Sequence, residues 1–269
     1  MINDWIRASW ELHSNTQSHV IIRPHTDGIA HSVIEDTKIN KITPLNHAAI
    51  LGRRASLVCL TATIYFLSAV VGAHLISPQY DMLRDYISDY AVGPRGWVYG
   101  SAYWASFFGC VSLAIALWQL VPPHDLSRIG AALMAIMGMT YLIDFFYPTD
   151  ILLPGAPPVT LTGNVHFVAP VIGWLLFPFS AILITRRLRR HPAWESSYRT
   201  LMALCVMSIT LLIALVVVVL LKAPIGGLIE KAFILDRNVW ILMISSLALA
   251  ITAKPDQKPS ALAASMGTP

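Results

Sequence analysis

Long apolar runs interrupted by short polar stretches dominate the chain, and six of them matter: Ala55 to Ile76, Trp97 to Val121, Ile129 to Tyr147, Gly163 to Thr185, Thr200 to Leu221 and Asn238 to Ala253. A bilayer core needs about 20 mostly apolar residues per helix. In hydrocarbon every backbone amide must bond within its own segment, so each run is predicted to be helical, with Pro170 and Pro178 only kinking the fourth. The predicted fold class is all-α, a polytopic bundle of six transmembrane helices. Residues 1–48 differ in kind, being polar and holding five of the nine histidines without an apolar run behind a basic start. No signal peptide pattern is present there. The recurrence of His13, His19, His25 and His31 every six residues is neither a zinc-finger spacing nor one helix face. The expected organisation is a disordered N-terminal tail (1–48), a six-helix transmembrane domain (49–253) and a loose C-terminal tail (254–269).

Composition agrees with the pattern. Of 269 residues 55% are hydrophobic and 13% charged, against roughly a quarter charged in soluble domains. The net charge of +4 sits in short clusters between apolar runs, which argues against a nucleic-acid partner. One set of loops and tails collects Lys38, Lys41, Arg53, Arg54, Arg128, Arg186, Arg187, Arg189, Arg190, Arg199, Lys254 and Lys258. The other holds Arg84, Arg95, Lys222, Lys231 and Arg237, twelve against five. The positive-inside rule then places both termini in the cytoplasm of a multi-pass protein of the cell (cytoplasmic) membrane. Cys59, Cys110 and Cys205 fall inside apolar runs and read as packing.

Four loop motifs stand at ordered positions on this topology: Tyr80-Asp81-Met82-Leu83-Arg84-Asp85-Tyr86-Ile87-Ser88-Asp89-Tyr90 after the first run, Tyr147-Pro148-Thr149-Asp150 after the third, Gly163-Asn164-Val165-His166 opening the fourth, and Gly227-Leu228-Ile229-Glu230-Lys231 before the sixth. In order and placement they resemble the six-span prokaryotic membrane family known as domain of unknown function 998, over about residues 55 to 253. Tyr147 stands where that family usually has Phe, and Lys231 where it more often has Arg; neither change alters the chemistry. The resemblance implies the six-helix architecture and no reaction.

Polar residues mark where function would sit. Asp144 lies about one turn inside the third run, and ionisable groups within a span face the bundle or a wet cavity. His166 opens the fourth run, and the two are expected to approach within direct or water-mediated hydrogen-bond reach. Asp81, Asp85 and Asp89, spaced i, i+4, i+8, would share one face if their loop is helical. Ser88, Asp89, Asp144, Asp150, His166 and Glu230 all fall on one side of the membrane and are the candidates for a polar binding cavity. The plainer reading of Asp89 and Asp150 is helix capping. Arg186, Arg187, Arg189 and Arg190 are candidate contacts for anionic lipid headgroups. Gly96 and Gly100 suggest close helix contact, and Trp97, Tyr99, Tyr103 and Trp104 an interfacial aromatic belt.

Three functions are weighed. A non-enzymatic protein that binds a lipid, a small amphiphile or a partner at the outer face ranks first, because it needs no complete catalytic set. A membrane-embedded lipid hydrolase or transferase using the Asp and His groups with a metal ion ranks second. No cofactor is required by the sequence, although the carboxylates suit a divalent cation. A secondary transporter ranks third, for want of a visible inverted repeat. Membrane lipids are the partners the sequence implies, and no protein partner is named by it.

Overall fold

The computed structural model describes residues 30–93, 95–150, 159–190 and 192–253, and for 30–46, 192–193 and 251–253 the backbone alone. Residues 1–44 and 45–269 form separate compact units, and the second holds the bundle. Six long helices carry it: α1 (Ala30–Ile76), α2 (Trp97–Leu120), α3 (Arg128–Phe146), α4 (Leu161–Leu188), α5 (Tyr198–Leu220) and α6 (Gly226–Ala253). A single turn at Pro192–Glu195 and a 3-10 turn at Ile87–Ala91 complete the described secondary structure, which includes no strand. Each of the six helices contains a stretch long and apolar enough to cross a membrane, His47–Ile76 in the case of α1.

Two helices begin earlier than their apolar runs predict. The α1 helix opens at Ala30, inside the stretch expected to be a loose tail. Extending a helix already nucleated by an apolar segment is cheap, because each added residue gains a hydrogen bond. The earlier part of that expected tail, residues 1–29, and the expected loose end at 254–269 lie outside the described residues. The α6 helix opens at Gly226 and not near Asn238. Its first turns carry Glu230, Lys231, Asp236 and Arg237, which imitate a loop in one dimension. In three dimensions Glu230, Asp236 and Arg237 are all buried. Arg237 is therefore no loop residue, and it leaves the count that set the orientation.

Burial explains this division of labour. Within its apolar window α6 is 56% buried, the most of the six, whereas α5 is 17% buried and the most apolar. A helix surrounded by neighbours can carry polar groups that find partners, while one facing lipid cannot. Aromatic edges pack α6 against α4, with Phe177 5.7 Å from Trp240 and 6.2 Å from Phe233 between ring centroids. Polar contacts join the helices: Ser180 of α4 donates to the Gly130 carbonyl of α3 at 2.8 Å, the Trp240 indole of α6 donates to Thr185 of α4 at 3.1 Å, and the Ser208 hydroxyl of α5 donates to the Asp236 carboxylate of α6. Between α1 and α2, Tyr65 and Ser101 share a hydroxyl–hydroxyl bond of 2.7 Å. The helices alternate in direction, so α1, α3 and α5 end, and α2, α4 and α6 begin, at the same end of the bundle.

A candidate polar site at one end of the bundle

That end gathers all six candidate site residues, in three arrangements. In the first, the loop between α1 and α2 docks onto the start of α6. Glu230, 3% exposed, accepts the Ile87 amide at 2.6 Å. The Lys231 ammonium donates to the carbonyls of Met82 (3.2 Å), Asp85 (2.6 Å) and Gly227 (3.3 Å), which uses all three of its protons. The Leu228 amide donates to the Leu83 carbonyl at 3.0 Å. Gly227 makes this approach feasible, since a Cβ there would overlap the Asp85 carbonyl oxygen. Across the loop, His74 Nδ1 and the Tyr90 hydroxyl lie 2.9 Å apart. The Glu230-Lys231 pair thus clamps the loop.

Within the loop the three aspartates do not share a face. Residues 81–86 are turns, and each carboxylate is occupied by backbone amides, because these short side chains reach nearby N–H groups more easily than one another. Asp81 accepts from Leu83 (2.7 Å) and Arg84 (3.2 Å), Asp85 accepts from Asp81 (2.6 Å), and Asp89 caps its 3-10 turn by accepting from Tyr86 at 2.8 Å. Burial pushes the Asp89 carboxyl up to about 6 against the opposing pull of the Tyr86 amide. The same cause, followed by the charges of Asp85 and Asp89, pushes the Tyr90 phenol up to about 12. Ser88 is half-buried beside them.

The second arrangement is the Asp150 clasp. Asp150 accepts from the Val159 amide (2.9 Å), the Thr160 amide (3.0 Å) and the Thr160 hydroxyl (2.6 Å), while Thr160 caps α4 by accepting from Gly163 at 2.9 Å. The Thr160 hydrogen bonds hold this exposed carboxyl below its ordinary range. Its carboxylate lies where a Cβ on Gly163 would stand, which accounts for the glycine opening the fourth motif.

The third arrangement is the core of the site. Asp144 of α3 and His166 of α4 are 3% and 4% exposed, and the Asp144 Oδ1 to His166 Nδ1 distance is 3.9 Å. The pair expected from the sequence therefore approaches, at a distance longer than a direct hydrogen bond. His166 Nδ1 instead bonds the Tyr147 carbonyl at 2.8 Å. A carbonyl can only accept, so Nδ1 carries a proton, and in the neutral form of the ring the lone pair lies on Nε2. Asp144 Oδ1 is left buried without a hydrogen-bond partner, and so is the Tyr103 hydroxyl of α2, whose ring lies edge-on to His166 at 6.4 Å. Tyr99 and Tyr103, expected in an interfacial belt, are 2% and 4% exposed, whereas Trp97 is 74% exposed as a belt residue should be. Spacing explains the error: positions 99 and 103 are i and i+4 and turn together into the bundle, away from the face of Trp97. The close helix contact expected of Gly96 and Gly100 is not seen: a Cβ on Gly100 would meet Phe145 only at ordinary van der Waals distance, and one on Gly96 would strike the Ala91 carbonyl of the loop before α2.

Tyr141 and Arg237 were not singled out by sequence, yet the Arg237 guanidinium donates to the Tyr141 hydroxyl within the same half of the bundle. Among the described residues no three His, Cys, Asp or Glu side chains come together as a metal-ligand set. On the membrane-facing side of the α3–α4 seam lies an open apolar groove of about 310 Å³, lined by Ile143, Val165, Val168, Ala169 and Ile172 with Asn164 at one end. Asp144 and His166 are the sequence neighbours of Ile143 and Val165, and are buried on the inner side of that seam. At the opposite end of the bundle Arg186, Arg187, Arg189 and Arg190 are all exposed, with Arg189 over the Tyr198 ring at 5.1 Å.

Fold and site together define an integral membrane protein of six spans with a buried polar cluster at one end. The chain belongs to the family described as Protein of unknown function (DUF998), whose model matches residues 60–247 and so takes in all four loop motifs. No curated protein and no solved structure matches it.

Proposed function

We propose that the protein binds a membrane lipid or small amphiphile at the α3–α4 seam, with the apolar chain in the groove and the polar end beside Asn164 at the mouth of the site. The groove carries this reading. It is at the lower end of the range of roughly 300–1,000 Å³ usual for ligand pockets, and it opens between membrane-spanning helices, where hydrocarbon is the surrounding solvent. Its lining is apolar, and Val168 and Ile172 are about half exposed toward that solvent. Asn164 uses its amide nitrogen on the Thr160 carbonyl at 2.7 Å, which leaves its carbonyl oxygen to accept from a headgroup. The loop clamp and the Asp150 clasp hold the two rims in place. The hydrolase alternative draws less support, because Asp85, Asp89, Asp150 and Glu230 are spent on backbone amides and only Asp144 is left beside His166. The lysine and arginine asymmetry supports an outer-leaflet groove, with the arginines of α4 toward anionic headgroups of the inner leaflet.

The test is photo-crosslinking in vesicles of phosphatidylethanolamine and phosphatidylglycerol that contain a phosphatidylethanolamine with a diazirine in its acyl chain. Label should concentrate on Ile143, Val168 and Ile172, and Val168→Trp should lower it at least fivefold without loss of folded protein. Label spread evenly over all lipid-facing helices, unchanged by Val168→Trp, would mean that the groove holds only bulk lipid.

A further inference from the structure

Arg237 sits about three turns into α6 and is 2% exposed. Its guanidinium donates to the Tyr141 hydroxyl and stands 5.5 Å from the Phe66 ring centroid and 5.2 Å from that of Tyr141. Aromatic faces and one phenol ease a cation but do not neutralise it. Among the described residues the side-chain ion contacts are His124–Asp125 and His166–Asp144, so no carboxylate pairs with Arg237. The neighbouring Asp236 is engaged by Ser208. Arg237 Nε is buried without a hydrogen-bond partner.

Beside it lies a small internal cavity, with room for the centre of one water-sized particle, about 10 Å³. Arg237, Asn238, Ser106, Thr63, Cys110 and Gly109 line it. The donors and acceptors there are unevenly committed. Thr63 donates to the Cys59 carbonyl at 2.8 Å and Asn238 to the Ile234 carbonyl at 2.7 Å. The Ser106 hydroxyl, on a residue 8% exposed, makes no hydrogen bond among the described residues and is free to donate, and the Cys110 thiol adds a weak donor.

We infer that this cavity binds a single halide ion, which serves as the counter-ion of Arg237. A water could satisfy Nε–H but would leave the guanidinium without a counter-charge in contact with it inside the membrane, where an unpaired arginine is expensive. One monovalent anion supplies that counter-charge and accepts from Nε–H and Ser106, and an ion the size of a water needs no more space than the cavity offers. A polyatomic anion such as sulfate would not fit. Water-sized room favours fluoride over chloride, and chloride requires the lining to give by a few tenths of an ångström.

Full-length protein in detergent, purified in gluconate free of halide, is titrated with sodium fluoride or sodium chloride at constant ionic strength. The expected result is about one halide retained per chain after gel filtration and a thermal midpoint that rises with halide concentration, as ligand linkage requires. Gly109→Ala is the informative variant, because its added Cβ projects to ordinary contact distance, 3.7 Å, from Ala62 Cβ and Thr63 Oγ1. It takes up cavity space while Arg237 stays in place. It should weaken halide binding at least tenfold. If neither halide is retained or raises the midpoint above that in gluconate, a water fills the cavity and the inference is wrong. If Gly109→Ala binds as tightly as the parent, the ion sits elsewhere and the site assignment fails.

Discussion

Asp89 shows how one side chain can set the pH behaviour of a loop. Its folded pKa of about 6 lies above the ordinary carboxylate value because burial disfavours the charge. The folded state therefore holds this proton more tightly than the unfolded state, so Asp89 adds stability below about pH 4 that is lost as the pH rises through 6. Asp89→Asn keeps an oxygen for the Tyr86 amide and removes the titration. The variant should be more stable than the parent at pH 7.5, by about 1–3 kcal/mol, with the gap closing toward pH 4. Thermal unfolding of both proteins at several pH values measures it, and a gap that is constant across pH would contradict the raised pKa. Asp150 behaves in the opposite sense. Its carboxyl is held low by Thr160, so the clasp is complete at neutral pH and opens only as the pH falls through that lowered value.

At the scale of elements, the meeting of the first loop with α6 governs the site's rim. Gly227→Ala would drive a methyl group into the Asp85 carbonyl, and backbone there cannot move without breaking the Lys231 and Leu228 bonds. The expected loss is about 1–3 kcal/mol, read as a lower thermal midpoint, together with faster labelling of a cysteine placed at Ser88. Unchanged stability and labelling would show that the loop does not depend on this contact. This junction was also the least legible part of the sequence. Four spans, α2 to α5, are legible to within a few residues, because an apolar run bounded by charges has one interpretation, and of α1 only the end is. Asp144 and His166 were legible as a pair since an ionisable group inside such a run needs a partner. The start of α6 was not, because the burial that makes Glu230, Asp236 and Arg237 tolerable comes from neighbours far away in the chain. The inward turn of Tyr99 and Tyr103 was missed for the same reason: only the packed partner distinguishes a belt tyrosine from a core one.

The whole molecule carries its charge unevenly. With Arg237 removed to the interior, one end still shows Arg53, Arg54, Arg128, Arg186, Arg187, Arg189, Arg190 and Arg199 exposed, and the site end Arg84, Arg95 and Lys222, with Lys231 half-buried. That asymmetry predicts a site end on the outside. A cysteine at the exposed Gln79 should react with an impermeant maleimide on intact cells, while one at Ser196 should react only after lysis; the native thiols, all buried, give little background. The reverse pattern would invert the topology. The polarity of α6 also bears on how the protein is made. A nascent helix with Glu230, Lys231, Asp236 and Arg237 meets bilayer alone at a penalty of roughly 2.5–3.5 kcal/mol for each central charge, so it enters the membrane only by docking among the five spans synthesised before it. The bundle then closes only once α6 has been made, and a message truncated ahead of Gly226 would yield a product with an open slot that quality-control proteases can recognise.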